Sequence, residues 1–344
     1  MSFDKLILCC ALLLSTTLLS AAPVELNQNH PETYVVKKGD TLWDIAAMFL
    51  RDPWRWPDIW QANQQIANPH WIYPGDVLEL AFIDGRPVLR RQANGVIRLS
   101  PKVRISPMGN ATPSIPLDVI APFLSRPHVL EKDEGHAAPY VIAVGDEHLL
   151  GSAGMRFYAR NLHPGDNGDT RFDIVRPGKA YRDADTGEIL GYEADFIGTA
   201  IKLRDGDPAT FRMHTSKLEM LKGDRLVPSS DTALGAFHPK APDTPVEGSI
   251  IDVYQGVSEI GQFQIVTLDR GGADGLAPGD VLEVLHRGDT VRDTISGSQF
   301  EKVKLPDERA GMLMVFRAYE RLSFGLIMSA TRALHVLDRV RSPQ

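Results

Sequence analysis

The chain has 344 residues, 43% of them hydrophobic and 24% charged, with a net charge of −7. That length predicts two or three domains, and the mild acidity argues against a nucleic-acid partner, which wants a basic face. A content of 29 glycines and 24 prolines favours turns and short strands over long helices.

Lys5 precedes an apolar run over residues 6–14, and Ser20-Ala21-Ala22 offers small residues for cleavage. The run is shorter than the roughly 20 residues a membrane span needs, so residues 1–22 read as a secretory signal peptide. Pro23 leaves cleavage after Ala21 or Ala22 open. Both cysteines, Cys9 and Cys10, fall inside the run, and Leu8 ahead of Cys9 is not the small residue a lipid-attachment site wants. The mature chain is therefore expected to hold no disulfide and no thiol nucleophile. Export without disulfides fits a periplasmic protein associated with cell wall or outer membrane.

Residues 33–82 form the most structured stretch. An alternating strand from Tyr34 leads through Gly39-Asp40 to Thr41, which suits an N-cap with Asp44 reaching back to its amide. Leu42, Ile45, Ala46 and Phe49 then lie on one helical face. Pro53 stops that helix and Pro57 suits the start of a second, carrying Ile59 and Trp60. The turn Pro74-Gly75-Asp76 launches a strand over 77–80. This βααβ order, with Gly39-Asp40-Thr41-Leu42 and Asn68-Pro69-His70-Trp71-Ile72-Tyr73-Pro74-Gly75-Asp76, resembles the LysM family of glycan-binding modules. The resemblance implies a groove for N-acetylglucosamine-containing chains, mainly peptidoglycan. Its lining would be Gly39, Asp40, Thr41 and Leu42 on one side and Asn68, Ile72, Tyr73 and Pro74 on the other. Backbone polar groups, a few fixed side chains and flat apolar surface suit acetamido groups and sugar faces. Turn-forming and capping is the alternative role, above all for Gly39, Pro74 and Gly75. All five tryptophans fall here. Trp60 reads as core. Trp54 and Trp56 flank Arg55 in a Pro-bounded loop, where at least one is expected to be exposed, either to stack on a sugar or partner or to pack within the module.

Residues 83–139 read as a Pro-rich, partly ordered arm packed on the downstream portion of the chain, with strand-like stretches at 96–99 and 103–105 and an apolar 120–124. That downstream portion is predominantly β, split by the Pro-rich 228–248 into a β-rich unit over 140–232 and a small barrel or sandwich over 246–341. Strand candidates in the second unit are 248–254, 261–268, 281–286, 311–317, 323–329 and 334–337. A Gly-Asp turn ahead of a strand recurs at 73–80, 221–228 and 276–284, read as shared turn chemistry. The expected fold class is α+β.

The phrases 185–191, 222–228, 275–283, 310–317 and 323–328 resemble the periplasmic LysM proteins associated with the type IV pilus secretin. In that family a LysM module precedes a β-rich portion related to the C-terminal domain of a flagellar-assembly protein. The resemblance implies a tether joining cell wall to the outer-membrane secretin, with homo-oligomerisation around its ring. Catalytic motifs are missing beyond residues 1–22: no His-Glu-x-x-His, no Ser-x-x-Lys (Ser2-Phe3-Asp4-Lys5 falls within the expected signal peptide), no Gly-x-Ser-x-Gly, and histidines without metal-binding spacing. Glu188, Glu193 and Asp195, near one hairpin, read as a solvated face. The expectation is a non-enzymatic adaptor without cofactor, metal site or catalytic residues. The alternative is a LysM-targeted regulator of a separate peptidoglycan hydrolase. His286, Arg317, Tyr319 and Arg321 are candidates for a partner-binding face, with ordinary exposed strand residues as the other reading.

Overall fold

The computed structural model describes residues 24–60, 72–92, 119–120, 123, 129–132, 137–145, 148–162, 170–229, 238–254, 259–293, 295 and 302–343. The expected signal peptide, Asn68, Trp71 and the stretches 96–99 and 103–105 lie outside them. Among the described residues no helix is long and apolar enough to cross a membrane. The architecture is α+β, with a small helical head and a β body.

In the head, β1 (Thr33–Val35) precedes α1 (Leu42–Phe49), a 3₁₀ turn (Pro53–Arg55) and α2 (Trp56–Trp60). A sheet β1-β2-β3 is completed by β2 (Val77–Ile83) and β3 (Arg86–Arg91), all antiparallel. The third strand corrects the expectation that the arm begins at residue 83. Asp84 and Gly85 both take positive φ, 49° and 76°, as a two-residue type I′ hairpin requires. Leu89 of β3 is buried in the head core with Leu42, Ile45, Phe49, Trp56, Trp60, Ile72 and Leu78.

The body consists of two barrels. The first uses β5 (Tyr140–Val144), β6 (Arg156–Arg160), β7 (Arg171–Arg182), β8 (Ile189–Arg204), β9 (Ala209–Ser216) and β10 (Arg225–Pro228). Pairing of β8 with β9 closes the ring β5-β6-β9-β8-β7-β10, and β4 (Val129–Glu131) adds to β8. The second is a closed barrel of β11 (Glu247–Val253), β12 (Ile265–Leu268), β13 (Val281–His286), β16 (Glu308–Ala318), β17 (Ser323–Ala330) and β18 (Arg339–Arg341), in the order β11-β12-β17-β16-β13-β18. A hairpin of β14 (Thr290–Arg292) and β15 (Lys302–Lys304) is inserted in it. Closure removes exposed sheet edges.

Numbered from its own first strand, each barrel has the ring order first-second-fifth-fourth-third-sixth. The backbone bonds match as well. Val141 N–H to Asp224 C=O (2.9 Å) corresponds to Ile250 N–H to Asp338 C=O (3.0 Å), and Gly223 N–H to Val141 C=O (2.8 Å) to Leu337 N–H to Ile250 C=O (2.7 Å). The bridge Gly151–Met220 corresponds to Ile260–Leu334. The body is therefore an internal structural duplication. The counterpart of the turn at 221–224 is the one at 335–338, so residues 334–337, expected as strand, form a bridge and turn ahead of β18.

Strands β16 and β17 explain how the parts assemble. Leu313, Val315 and Ile327 point into barrel 2, while Met312, Met314, Phe316, Phe324, Leu326 and Met328 are buried on its outer wall. Apolar residues on both faces require cover outside as well as inside. The cover comes from Trp43 and Trp54 of the head, Ile120 and Phe123 of the arm, and Tyr181 and Leu190 of the β7–β8 hairpin. Ile120 and Phe123, the described residues of the apolar stretch 120–124, are both buried in this cluster. Arg317, Tyr319 and Arg321, candidates for a partner face, are engaged within the chain. Arg317 Nη1 donates to Phe123 C=O at 2.6 Å, Tyr319 sits edge-on to Phe324 at 5.8 Å, and Arg321 holds Glu188 at 2.8 and 2.9 Å.

Candidate functional site

The head brings its two motif turns together. Val36 N–H donates to Asp76 C=O at 2.9 Å, and Gly75 N–H to Val36 C=O at 2.8 Å, so the turn at 73–76 lies beside the end of β1. Gly39 and Gly75 both have φ of +99°, a conformation costly for other residues. Asp40 Oδ2 accepts from Tyr34 Oη at 2.9 Å and Lys37 N–H at 2.8 Å. That leaves Oδ1 for a hydroxyl or amide N–H of a ligand. Burial, then the hydrogen bond to Asp40, pushes the Tyr34 hydroxyl up to about 12, so it stays a donor at neutral pH.

Thr41 forms the capping box with Asp44. Asp44 N–H donates to Thr41 Oγ1 at 3.1 Å, and Thr41 N–H to Asp44 Oδ2 at 3.2 Å. Its hydroxyl also donates to Asp44 Oδ2 at 2.7 Å, and the residue is 3% exposed. Leu42 and Ile72 are 2% and 0% exposed, inside the head core. Three of the expected lining residues thus have buried side chains. Thr41 caps, while Leu42 and Ile72 pack, because the amphipathic face of α1 claims them. Gly39, Asp40, Tyr73 and Pro74 keep accessible surface on the two turns. Asp76 fixes their turn, its Oδ2 accepting Tyr73 N–H at 3.1 Å. Asn68 lies outside the described residues.

The LysM domain model matches residues 34–80. The LysM domain implies binding of peptidoglycan or related carbohydrate, and it is a binding module rather than a catalytic one. A curated relative from Bacillus subtilis (strain 168), described as "Uncharacterized protein YqbP", is 42% identical over 64 residues, 16% of this chain. The matched part spans 29% of that relative's length.

The tryptophans of the LysM domain occupy positions the sequence left open. Trp56 is 1% exposed and meets Trp60 edge-on at 6.3 Å in the core. Trp54 is half-buried against barrel 2, and Trp43, 2% exposed, belongs to the outer-wall cluster of that barrel. Neither Trp54 nor Trp56 is the expected exposed stacking surface. Asp52 Oδ1 lies 3.1 Å from Arg309 Nη2 and adds a polar contact at the same junction. A hollow of about 500 Å³ on the head is lined by Leu26, Asn27, Gln28, Ala47, Leu50 and Arg51 among others. It opens at the far end of α1 from the Gly39 turn, about 12 Å along a helix of eight residues. Sequence reasoning did not find it, since its amides lie ahead of the LysM motif.

Proposed function

We propose that the protein is an exported, non-catalytic adaptor that grips peptidoglycan with its LysM head and presents its double-barrel body to an envelope complex. The LysM match at residues 34–80 carries this reading. The surface formed by Gly39, Asp40, Tyr73 and Pro74 is the place for an N-acetylglucosamine unit, with Asp40 Oδ1 and the turn's backbone groups as its polar contacts. Seating of Trp43 and Trp54 on barrel 2 supports an adaptor, because it joins the wall-binding end to the body by packing as well as by the chain.

Resemblance of the body phrases to the secretin-associated LysM proteins makes the outer-membrane secretin of type IV pili the partner we favour, with a periplasmic location. Co-sedimentation with purified sacculi tests the first half: the full chain is expected in the pellet, and Asp40→Ala with Tyr73→Ala in the supernatant. Pull-down from cross-linked envelopes tests the second half, with a secretin as the expected captured protein. A peptidoglycan hydrolase in its place, or a cleared band on a peptidoglycan zymogram, overturns the adaptor reading.

A further inference from the structure

The two barrels differ at one matched position in a way that creates a donor cluster. In barrel 1, Asp224 closes the turn ahead of β10 by accepting Leu221 N–H at 2.8 Å, and the residue is 2% exposed. Its charge is answered by Arg176, bidentate at 2.8 and 2.9 Å. Arg176 comes directly after Val175, the β7 partner of Arg225.

Barrel 2 repeats the turn. Asp338, 3% exposed, accepts His335 N–H at 2.8 Å. The residue after Leu285, the β13 partner of Arg339, is His286. A histidine thus replaces the arginine, and a second histidine replaces Leu221. His286 Nδ1 lies 3.4 Å from Asp338 Oδ1, is buried, and has no hydrogen-bond partner. The two imidazole rings are 5.8 Å apart between centroids. One donor atom from each of His286, His335 and Asp338 falls within 4.8 Å of the others. Arg339, next along the chain, turns away to Asp185 and Ser249.

A buried carboxylate needs a counter-charge. Barrel 1 supplies a guanidinium, and barrel 2 offers two imidazoles. Two nitrogens and one carboxylate oxygen are the donor set of zinc-class ions. Donors about 2 Å from a tetrahedral ion lie roughly 3.3 Å from each other, the spacing His286 and Asp338 already have. Rotation of the half-buried His335 brings in the third donor.

We propose that His286, His335 and Asp338 bind one divalent transition-metal ion of the zinc class, with water in the remaining position. The bound ion ties β13 to the turn ahead of β18.

Equilibrium dialysis of the purified, untagged full chain against zinc chloride tests this, with cobalt(II) as a visible-absorption stand-in. The expected result is one ion per chain and ligand-field bands for cobalt. His335→Ala is expected to weaken binding more than tenfold. His286→Arg rebuilds the barrel 1 pair; it is expected to abolish binding while the thermal midpoint in chelator is no lower than that of the parent. Unchanged affinity in either variant, or in a chain that carries both His286→Arg and His335→Ala, means an adventitious ion only and overturns the site. Failure of the parent chain to bind zinc or cobalt overturns it too, leaving His286 simply packed beside Asp338.

Discussion

Trp43 joins the LysM head to the body, so Trp43→Ala is a direct test of how the molecule is assembled. The side chain is 2% exposed and clusters with the outer wall of barrel 2 rather than with the head's own core. A tryptophan buries about 150–250 Å², worth about 4–6 kcal/mol at ~25 cal/mol per Å². Truncations of buried aromatic residues cost about 3–5 kcal/mol. Loss of that order is expected in urea unfolding of the full chain. Because the contact lies between two parts, hydrogen exchange should rise in α1 and in β16–β17 peptides that face it, while the β11–β12 pair stays protected. The Asp52–Arg309 pair is partly exposed and contributes far less. Unfolding within about 1 kcal/mol of the parent, with unaltered exchange in α1, refutes the seating of the head on the barrel.

Thr41→Ala removes the cap of α1 and is expected to cost about 1 kcal/mol in thermal or urea unfolding. Calorimetry with a chitin oligosaccharide should show little change in affinity for the folded variant, since Thr41 faces Asp44 and not solvent. Gly198→Ala drives a Cβ into the backbone C=O of Thr215 in barrel 1. It is expected to cost about 3 kcal/mol and to show as a lowered urea midpoint. Hydrogen bonds from Arg321, then Lys132, hold Glu188 down to about 2 from an ordinary 4.5. The folded value lies below the unfolded one, so the clamp between the β7–β8 turn and barrel 2 is present above about pH 4.5 and is lost as pH falls toward 2. Exchange at that turn should rise in this window, and Glu188→Gln should remove the pH dependence.

The head was legible because its signals are local. A capping box, an i, i+3, i+4 apolar face and two Gly-Asp turns specify α1 and the flanking strands without help from distant residues. The missed strand β3 carried its own signal, the Asp84-Gly85 hairpin dipeptide. Most body strands could be read from alternation or from continuous apolar runs. Their ring order could not, because closure depends on pairings such as β8 with β9 and β11 with β18, which no local pattern encodes. The recurring Gly-Asp turns hinted at the duplication, yet the matching turn in barrel 2 has Leu337 in place of glycine, at φ 76°. Sugar-facing residues were harder still. The residues that make the LysM motif recognisable, Thr41, Leu42 and Ile72, are those the fold consumes for capping and packing. His286 ends β13 and His335 lies in the turn ahead of β18, 49 residues on, so spacing gave no sign of their meeting beside Asp338.

The seating of Trp43 and Trp54 has a mechanical consequence. The two residues share one buried apolar cluster with Met312, Met314 and Phe316 of β16 and Phe324, Leu326 and Met328 of β17, the longest strands of barrel 2. Tension applied at the head is delivered sideways into that wall through the shared cluster, where interstrand hydrogen bonds share it, and not only end-on through the intervening chain.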